Sequence, residues 1–421
     1  MNAIKQIRIK TLKLNEGFFN SLRCNYIHSS LLFRNSKKDD ADDKNKPDPS
    51  DEKPRESPLK KLLEDAASFE DVKTRNIEQK WATLPYGESA KIQKQGEHFK
   101  KEKKDPRDST IILFPGQGSQ YVGMANDLLK FPLVKDLFDL ASYILKYDLL
   151  KLCLEGPKDQ LEQTKYCQPA IMVSSLAALE RLKEERPNAI DNCVATAGFS
   201  LGELTALVFA GAIGFEQALQ LVKIRAESMQ LAGEIHKGGM VRVLYGPDSE
   251  LKQACLKARE WARERGDDLP ECRIANYLYP DCKVVAGSTS ALEFLEKNVK
   301  EFKLKKVSRL PVSGAFHSDL MIPAIKPFKK ALEKIKIEDP VISVYSNVDG
   351  KRYKNADHIR RQLPKQIVKP VKWEQTMHVL YERDVGEYFP RTFECGPGGA
   401  LRTILKQVNA KAWDHCISVP V

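Results

Sequence analysis

Hydrophobic and polar positions along the chain form blocks that predict alternating strands and helices. An apolar run at 110–114 predicts a short buried strand, and a second apolar run at 192–197 predicts another. Apolar residues recur with helical spacing in five further blocks, at 123–131, 134–151, 168–185, 202–211 and 215–232. Strands that alternate with helices in this way predict an α/β fold.

The pattern changes after Gly238 and Gly239, which mark a boundary. Strands are predicted at 240–244, 272–278, 282–286 and 305–310, and helices at 248–265 and 290–300. The order strand, helix, strand, strand, helix, strand is that of a ferredoxin-like unit. We therefore predict that residues 239–311 form a small subdomain, inserted into a larger α/β domain made of 108–238 and 312–421.

The first 107 residues differ in composition from the rest of the chain. Residues 1–38 contain eight Lys or Arg and one acidic residue, Glu16, so they carry +7 of the net charge of +11. A basic, serine-containing and acid-poor composition is typical of a mitochondrial transit peptide, with a disordered basic tail as the alternative. Residues 39–107 are highly charged and predict a linker or extension.

The composition of the chain as a whole excludes several classes of protein. No apolar run reaches the length of a membrane span. The nine cysteines are scattered and the seven histidines form no cluster, which argues against a metal site or a disulfide framework. Cys395 is predicted to be a small buried residue rather than a nucleophile. The positive charge suggests nucleic-acid binding as an alternative function. Most of this charge lies in 1–38, however, and no recognised nucleic-acid-binding motif accompanies it.

Ser200 lies in a Gly-x-Ser-x-Gly pentapeptide between the predicted strand at 192–197 and the predicted helix at 202–211. Strand, pentapeptide and helix in this order are the layout of a nucleophile elbow. The glycines relieve crowding at the sharp turn, and the start of the helix offers backbone N–H groups to a developing oxyanion. An ordinary structural turn is the alternative, because the pentapeptide also occurs by chance.

Two further segments carry candidate binding groups. Gln117 follows the strand at 110–114 within Gly-Gln-Gly-Ser-Gln, where the glycines permit close approach of a backbone and the amide offers a donor. An ordinary strand–helix turn is the alternative there. Arg225 lies in the predicted helix at 215–232, and its guanidinium suits bidentate capture of a carboxylate. A surface arginine paired with a nearby glutamate is the alternative.

A candidate base and a candidate loop come later in the chain. His317 lies in a loop of small residues after the strand predicted at 305–310, and a histidine is the usual base beside a nucleophilic serine. Gln366 precedes Pro370 and Trp373 in a segment that looks like a loop able to close over a site. A structural histidine, and a turn anchored by Trp373, are the alternatives.

Together these segments resemble the malonyl-CoA:acyl carrier protein transacylase family, and with residues 1–38 they resemble its mitochondrial members. The resemblance covers roughly 110–415 and rests on ordered motifs: GQGSQ, GxSxGE, an arginine-bearing helix, AFHS, QxxxPVxW and GPG. It implies an α/β-hydrolase-like core with an inserted ferredoxin-like small subdomain.

The resemblance also implies roles for individual residues. Ser200 would be the acylated nucleophile and His317 its general base. Arg225 would hold the free carboxylate of the malonyl group. Gln117 and the backbone N–H of Leu201 would form the oxyanion hole.

Three further positions complete this implied site or depart from the family pattern. Gln366 would orient the histidine through its backbone carbonyl. Phe316 fits a pocket narrowed for an unbranched malonyl group. Many family members have histidine immediately before the nucleophile, whereas this chain has Phe199, which removes a polar group beside the site.

The activity implied is transfer of malonyl from malonyl-CoA to the phosphopantetheine thiol of mitochondrial acyl carrier protein, in fatty acid biosynthesis. We expect a monomer in the mitochondrial matrix that uses no cofactor, no metal and no nucleic acid. Two other hypotheses stay open: a mitochondrial serine thioesterase or esterase, and a non-catalytic module that binds carrier protein. A thioesterase has no need for Arg225 and would usually recruit an acidic third residue.

Overall fold

The computed structural model describes residues 105–383 and 386–421, all of which belong to one compact unit. The predicted transit peptide, 1–38, and the predicted linker up to residue 104 lie outside the described residues. The strands are Thr110–Phe114 (β1), Cys193–Gly198 (β2), Gly238–Leu244 (β3), Cys272–Tyr279 (β4), Cys282–Ser288 (β5), Lys306–Arg309 (β6), Ser343–Tyr345 (β7), Val371–Lys372 (β8), Arg391–Cys395 (β9) and Cys416–Val419 (β10).

Fourteen α-helices in the described residues connect and cover these strands. They are Val134–Leu145 (α1), Leu149–Glu155 (α2), Lys158–Glu162 (α3), Thr164–Glu185 (α4), Pro187–Asp191 (α5), Leu201–Phe209 (α6), Phe215–Ile235 (α7), Leu251–Glu264 (α8), Thr289–Lys297 (α9), Ile325–Lys334 (α10), Ala356–Gln366 (α11), Trp373–Tyr381 (α12), Ala400–Val408 (α13) and Ala410–Trp413 (α14). The α/β fold predicted from the pattern is therefore present.

The first sheet is parallel, with the strand order β10-β9-β1-β2-β7. Every residue of β1 is buried, as expected for a central strand of a parallel sheet covered on both faces. The turns that follow β1 and β2 therefore leave the sheet at the same edge, because the carboxyl ends of parallel neighbours coincide. This edge carries the segment with Gln117 and the segment with Ser200.

The second sheet has the strand order β6-β3-β5-β4-β8. The strands β3 to β6 correspond to the four predicted between 239 and 311, and their mutual pairings are antiparallel. The fifth strand, β8, comes from outside that segment and pairs in parallel with β4. Sequence spacing had not predicted this strand, because only two residues form it.

Two helix predictions are corrected by local backbone conformation. Residues 123–131 form no α-helix and contain only a 3-10 turn at Asn126–Leu128, because Gly123 and Ala125 have φ values of 97° and 92°. The segment 134–151 is divided between α1 and α2, because Lys146 has a left-handed φ of 66° that ends the first helix.

Within 105–383 and 386–421, no helix is both long and apolar enough to cross a membrane. The same residues contain no group of three or more His, Cys, Asp or Glu placed to hold a metal ion. The eight cysteines described, Cys395 among them, are buried free thiols.

Candidate active site

Ser200 lies at a strained turn between β2 and α6. Its φ and ψ are 51° and −102°, a conformation that an L-residue adopts only when its surroundings impose it. The two glycines of the pentapeptide make the turn possible. A Cβ at Gly198 would lie 1.8 Å from the carbonyl oxygen of Gly202, and one at Gly202 would lie 2.2 Å from that of Phe114. The sequence therefore places glycine where main chain meets main chain.

We expect Gly202→Ala to destabilise the fold and to reduce activity. The added methyl would collide with the main chain of β1, which no rotamer change relieves, and overpacking of this kind costs about 1–3 kcal/mol. Urea unfolding of the variant gives the change in the free energy of unfolding. Gly239→Ala is the matched control, because the nearest atom to a Cβ there is a Leu292 carbon at 3.6 Å. Equal stability of the two variants would contradict the steric argument.

Asn347, in the loop after β7, holds this turn from the side. Its Oδ1 accepts a hydrogen bond from the Ser200 backbone N–H at 2.6 Å, and its Nδ2 donates to the Gly198 carbonyl at 2.8 Å. The side chain is buried. Asn347 therefore occupies the backbone N–H of Ser200. The N–H that follows it along the chain belongs to Leu201, the first residue of α6.

His317 lies beside the hydroxyl of Ser200. Its Nε2 is 2.8 Å from Ser200 Oγ, and its Nδ1 is 2.7 Å from the carbonyl oxygen of Gln366. A carbonyl oxygen only accepts, so Nδ1 carries the proton and the lone pair of Nε2 faces the serine. Burial, followed by the charge of Arg225, lowers the pKa of His317 to about 4. The ring is therefore neutral at pH 7 and able to take a proton from Ser200.

Arg225, on α7, is fully buried and lies on the other side of Ser200. Its Nη2 donates to Ser200 Oγ at 3.1 Å and to Gln366 Oε1 at 2.8 Å, and its Nη1 donates to Gln168 Oε1 at 2.6 Å. Its Nε has no hydrogen-bond partner among the described residues. Burial lowers its pKa to about 10, which leaves it charged at neutral pH. A buried cation held by neutral amides can accept an anionic ligand.

Gln366 connects the two sides of this arrangement. It is the last residue of α11, which corrects the expectation that it lies in a loop. Its backbone carbonyl contacts His317 and its side chain contacts Arg225. The structure therefore brings Ser200, His317, Arg225 and Gln366 together.

Gln117 and Phe316 lie near this group without a hydrogen bond to Ser200. The Gln117 amide donates to Thr164 Oγ1 at 3.1 Å. Its neighbour Gly116 approaches the elbow so closely that a Cβ there would lie 2.4 Å from the Phe199 carbonyl oxygen. Phe316 is buried in the core cluster around the first sheet.

Phe199, the residue that departs from the family pattern, packs against an aromatic neighbour. Its ring meets that of Trp373 edge to face, with 5.4 Å between the centroids. Trp373 is fully buried at the start of α12. The phenyl ring thus joins the elbow to the segment that follows Gln366 through an apolar contact instead of a polar one.

The sequence analysis assigned no role in the site to Glu203, Asn347, Tyr353 and Gln168. Three of them, Glu203, Asn347 and Gln168, form hydrogen bonds with candidate site residues, and Tyr353 forms one with Glu203. For Glu203 a signal existed, since it is the one charged residue in the apolar helix α6. The carboxylate is fully buried, and burial raises its pKa to about 7. The other three lie far from Ser200 in sequence and carry no local signal.

Comparison with known proteins assigns this chain to a class of enzyme. Residues 111–386 match the family model of the acyl transferase domain, so the chain is an acyltransferase. A probable mitochondrial malonyl-CoA-acyl carrier protein transacylase of Drosophila melanogaster is 60% identical over 315 residues, which cover 75% of this chain and 83% of that protein. The mitochondrial malonyl-CoA-acyl carrier protein transacylase of Homo sapiens is 51% identical over 320 residues, which cover 76% and 82%. This chain belongs to the malonyl-CoA-acyl carrier protein transacylase family, as its motifs predicted.

Solved structures agree with this assignment. The malonyl CoA-acyl carrier protein transacylase of Coxiella burnetii matches with a TM-score of 0.66 and 32% identity, covering 75% of this chain and 95% of that one. A malonyl-transacylase in complex with a type II PKS acyl-carrier protein matches with a TM-score of 0.64 and 33% identity, covering 74% and 96%. The predicted α/β fold is thereby confirmed as that of the malonyltransferases.

Proposed function

We propose that this enzyme transfers the malonyl group from malonyl-CoA to the phosphopantetheine thiol of mitochondrial acyl carrier protein, through a malonyl ester of Ser200. The observation that carries the proposal is Arg225, a fully buried cation whose Nη2 lies 3.1 Å from Ser200 Oγ. An acyl group attached to Ser200 and bearing a carboxylate would meet this guanidinium. The names of the relatives, which specify malonyl-CoA and acyl carrier protein, agree with that chemistry.

The first half-reaction follows from the positions of Ser200 and His317. The Ser200 hydroxyl gives its proton to Nε2 of His317 as its oxygen attacks the thioester carbonyl. The Leu201 N–H, with Gln117 beside the elbow, would stabilise the oxyanion. When the intermediate collapses, the C–S bond breaks and the departing sulfur of CoA takes the proton from His317. Malonyl-Ser200 remains.

The second half-reaction reverses these steps with a different thiol. The phosphopantetheine thiol of the carrier protein gives its proton to His317 and attacks the malonyl ester. The C–O bond to Ser200 then breaks, and the serine oxygen recovers the proton from the imidazole. No acidic third residue is needed, because the Gln366 carbonyl fixes the tautomer of His317.

Arg225 separates this proposal from a serine thioesterase or esterase. We expect Arg225→Ala to lower malonyl transfer by about 30- to several-thousand-fold, since losing the partner of a buried charge costs about 2–5 kcal/mol. Acetyl transfer should persist or rise, because an acetyl group carries no carboxylate. The measurement is the rate of radiolabel transfer from malonyl-CoA and from acetyl-CoA. Equal losses with both acyl groups would refute the role of Arg225.

We further propose that the segments 108–238 and 312–421 form an α/β-hydrolase-like core, and that 239–311 forms a ferredoxin-like subdomain. The strand order β6-β3-β5-β4 supports the second part, since it is the order 4-1-3-2 that a ferredoxin-like unit has. The parallel first sheet with an elbow after β2 supports the first part.

The enzyme is mitochondrial in this proposal, and it acts as a monomer in the matrix in mitochondrial fatty acid biosynthesis. The relatives named mitochondrial support the compartment, and the basic composition of 1–38 supports a transit peptide there, followed by a linker at 39–107. The proposed site residues contact one another within one chain, so the proposed chemistry requires no second subunit. Phe316, buried next to His317, is proposed to narrow the acyl pocket.

A further inference from the structure

Arg225 is held in place by two glutamine side chains that differ in how firmly they are fixed. Gln168 accepts from Nη1 and Gln366 accepts from Nη2. Among the described residues, the amide nitrogen of Gln168 has only distant contacts, at 3.5 Å to Gln117 Oε1 and 3.7 Å to Met229 Sδ. The amide nitrogen of Gln366 makes two short bonds instead. The Gln366 side is therefore the better-fixed support of the guanidinium.

The two short bonds of Gln366 identify what orients its amide. Its Nε2 donates to the Ser200 carbonyl at 2.7 Å and to Glu203 Oε2 at 2.6 Å. An amide nitrogen only donates and an amide oxygen only accepts, so a flipped Gln366 would turn its NH2 group toward the guanidinium. The two acceptors beside Gln366 Nε2, the Ser200 carbonyl and Glu203 Oε2, therefore keep Gln366 Oε1 facing Arg225.

Glu203 is in turn held by Tyr353, whose hydroxyl donates to Glu203 Oε1. All four groups of this series, Tyr353, Glu203, Gln366 and Arg225, are buried. The donors converge on the carboxylate from two sides: Tyr353 donates to Glu203, and Arg225 donates to Gln366, which in turn donates to Glu203. Glu203 is therefore the shared acceptor on which the tyrosine hydroxyl and the Gln366 amide both depend.

We propose that Glu203 is a positioning residue that fixes the Gln366 amide, and through it the guanidinium of Arg225, and so determines selectivity for an acyl group with a free carboxylate. The inference rests on the proposed function. It concerns Arg225 and not His317, because Gln366 contacts Arg225 through its side chain but contacts His317 through its backbone carbonyl. That main chain is held separately at the end of α11, where the Val368 and Lys369 N–H groups donate to the Lys365 carbonyl.

The test compares Glu203→Leu with Glu203→Gln in the full chain. Leucine has a similar volume and no acceptor, so the KM for malonyl-CoA should rise about 10- to 100-fold, the effect expected for an unsatisfied buried donor beside a charged group. Acetyl loading should change less than about threefold. Glutamine retains an acceptor oxygen for Gln366, so Glu203→Gln should keep malonyl loading within about threefold of wild type. Tyr353→Phe should shift selectivity in the same direction as Glu203→Leu, by less.

Loading is measured by mass spectrometry of intact protein after mixing with malonyl-CoA or acetyl-CoA, together with thermal melting of each variant. Equal losses of malonyl and acetyl loading in a folded Glu203→Leu variant would overturn the proposal, because they indicate a merely structural role. A Glu203→Gln variant as impaired as Glu203→Leu would also overturn it, since the charge and not the acceptor would then matter. Failure of the wild-type protein to form any malonyl adduct would instead refute the proposed function itself.

Discussion

Replacing Ser200 with alanine is expected to abolish the covalent malonyl adduct and to lower malonyl transfer about 10⁵- to 10⁶-fold, the loss typical when a single nucleophile is removed. The serine oxygen is the one hydroxyl that lies within hydrogen-bond distance of both His317 Nε2 and Arg225 Nη2 among the described residues. Intact-protein mass spectrometry after mixing with malonyl-CoA measures the adduct, and addition of carrier protein bearing phosphopantetheine measures its transfer.

The control for this variant is Ser175→Ala. Ser175 is buried in α4, and its hydroxyl has no hydrogen-bond partner in the described part of the chain, so its removal should leave loading unchanged. Persistence of a malonyl adduct in Ser200→Ala would refute the nucleophile assignment. In the wild-type protein, an adduct lost to water at the same rate with and without carrier protein would favour a thioesterase.

Replacing His317 with alanine is expected to give the second large loss, about 10³- to 10⁴-fold in the rate of malonyl loading. Removal of a general base has effects near this size, and the imidazole is the group placed to take the proton of the Ser200 hydroxyl. The rate is measured by rapid mixing with malonyl-CoA followed by mass spectrometry. His378→Ala is the control, because His378 is exposed on α12 and should contribute nothing to loading.

The pH dependence of the wild-type enzyme tests the same assignment. The pKa of His317 lies at about 4, below its ordinary value, so the base is neutral above about pH 5 and becomes protonated as the pH falls through 4. Loading should therefore be level from about pH 5 to about pH 9, where His317 is neutral and Arg225 is charged, and decline below about pH 5. Protonation of Glu203, whose pKa burial raises to about 7, leaves an acceptor oxygen in place and should not interrupt this plateau. A fall in loading centred near pH 6.5 would contradict the buried environment inferred for His317.

Much of the fold was predictable because its signals are local. The strands β1 to β6 were predicted at or near their observed positions from local patterns, and the pentapeptide around Ser200 predicts a turn that only glycines permit. The helix predicted at 123–131 was wrong for an equally local reason, since positive φ values at Gly123 and Ala125 are incompatible with an α-helix and are invisible to hydrophobic spacing. The two-residue strand β8 is too short to leave a periodic signal.

By itself, the sequence determined the family, the α/β class and the identity of four groups that the structure brings together: Ser200, His317, Arg225 and Gln366. It determined them because residue type and order along the chain are enough to specify a motif. Only the tertiary structure decided how these groups are oriented. The side chains that orient them include Asn347 and Tyr353, which follow Ser200 by about 150 residues. They also include Glu203, whose position in an apolar helix does not indicate which residues it contacts. Hydrogen bonds between buried side chains depend on packing in three dimensions, and local sequence carries no record of them.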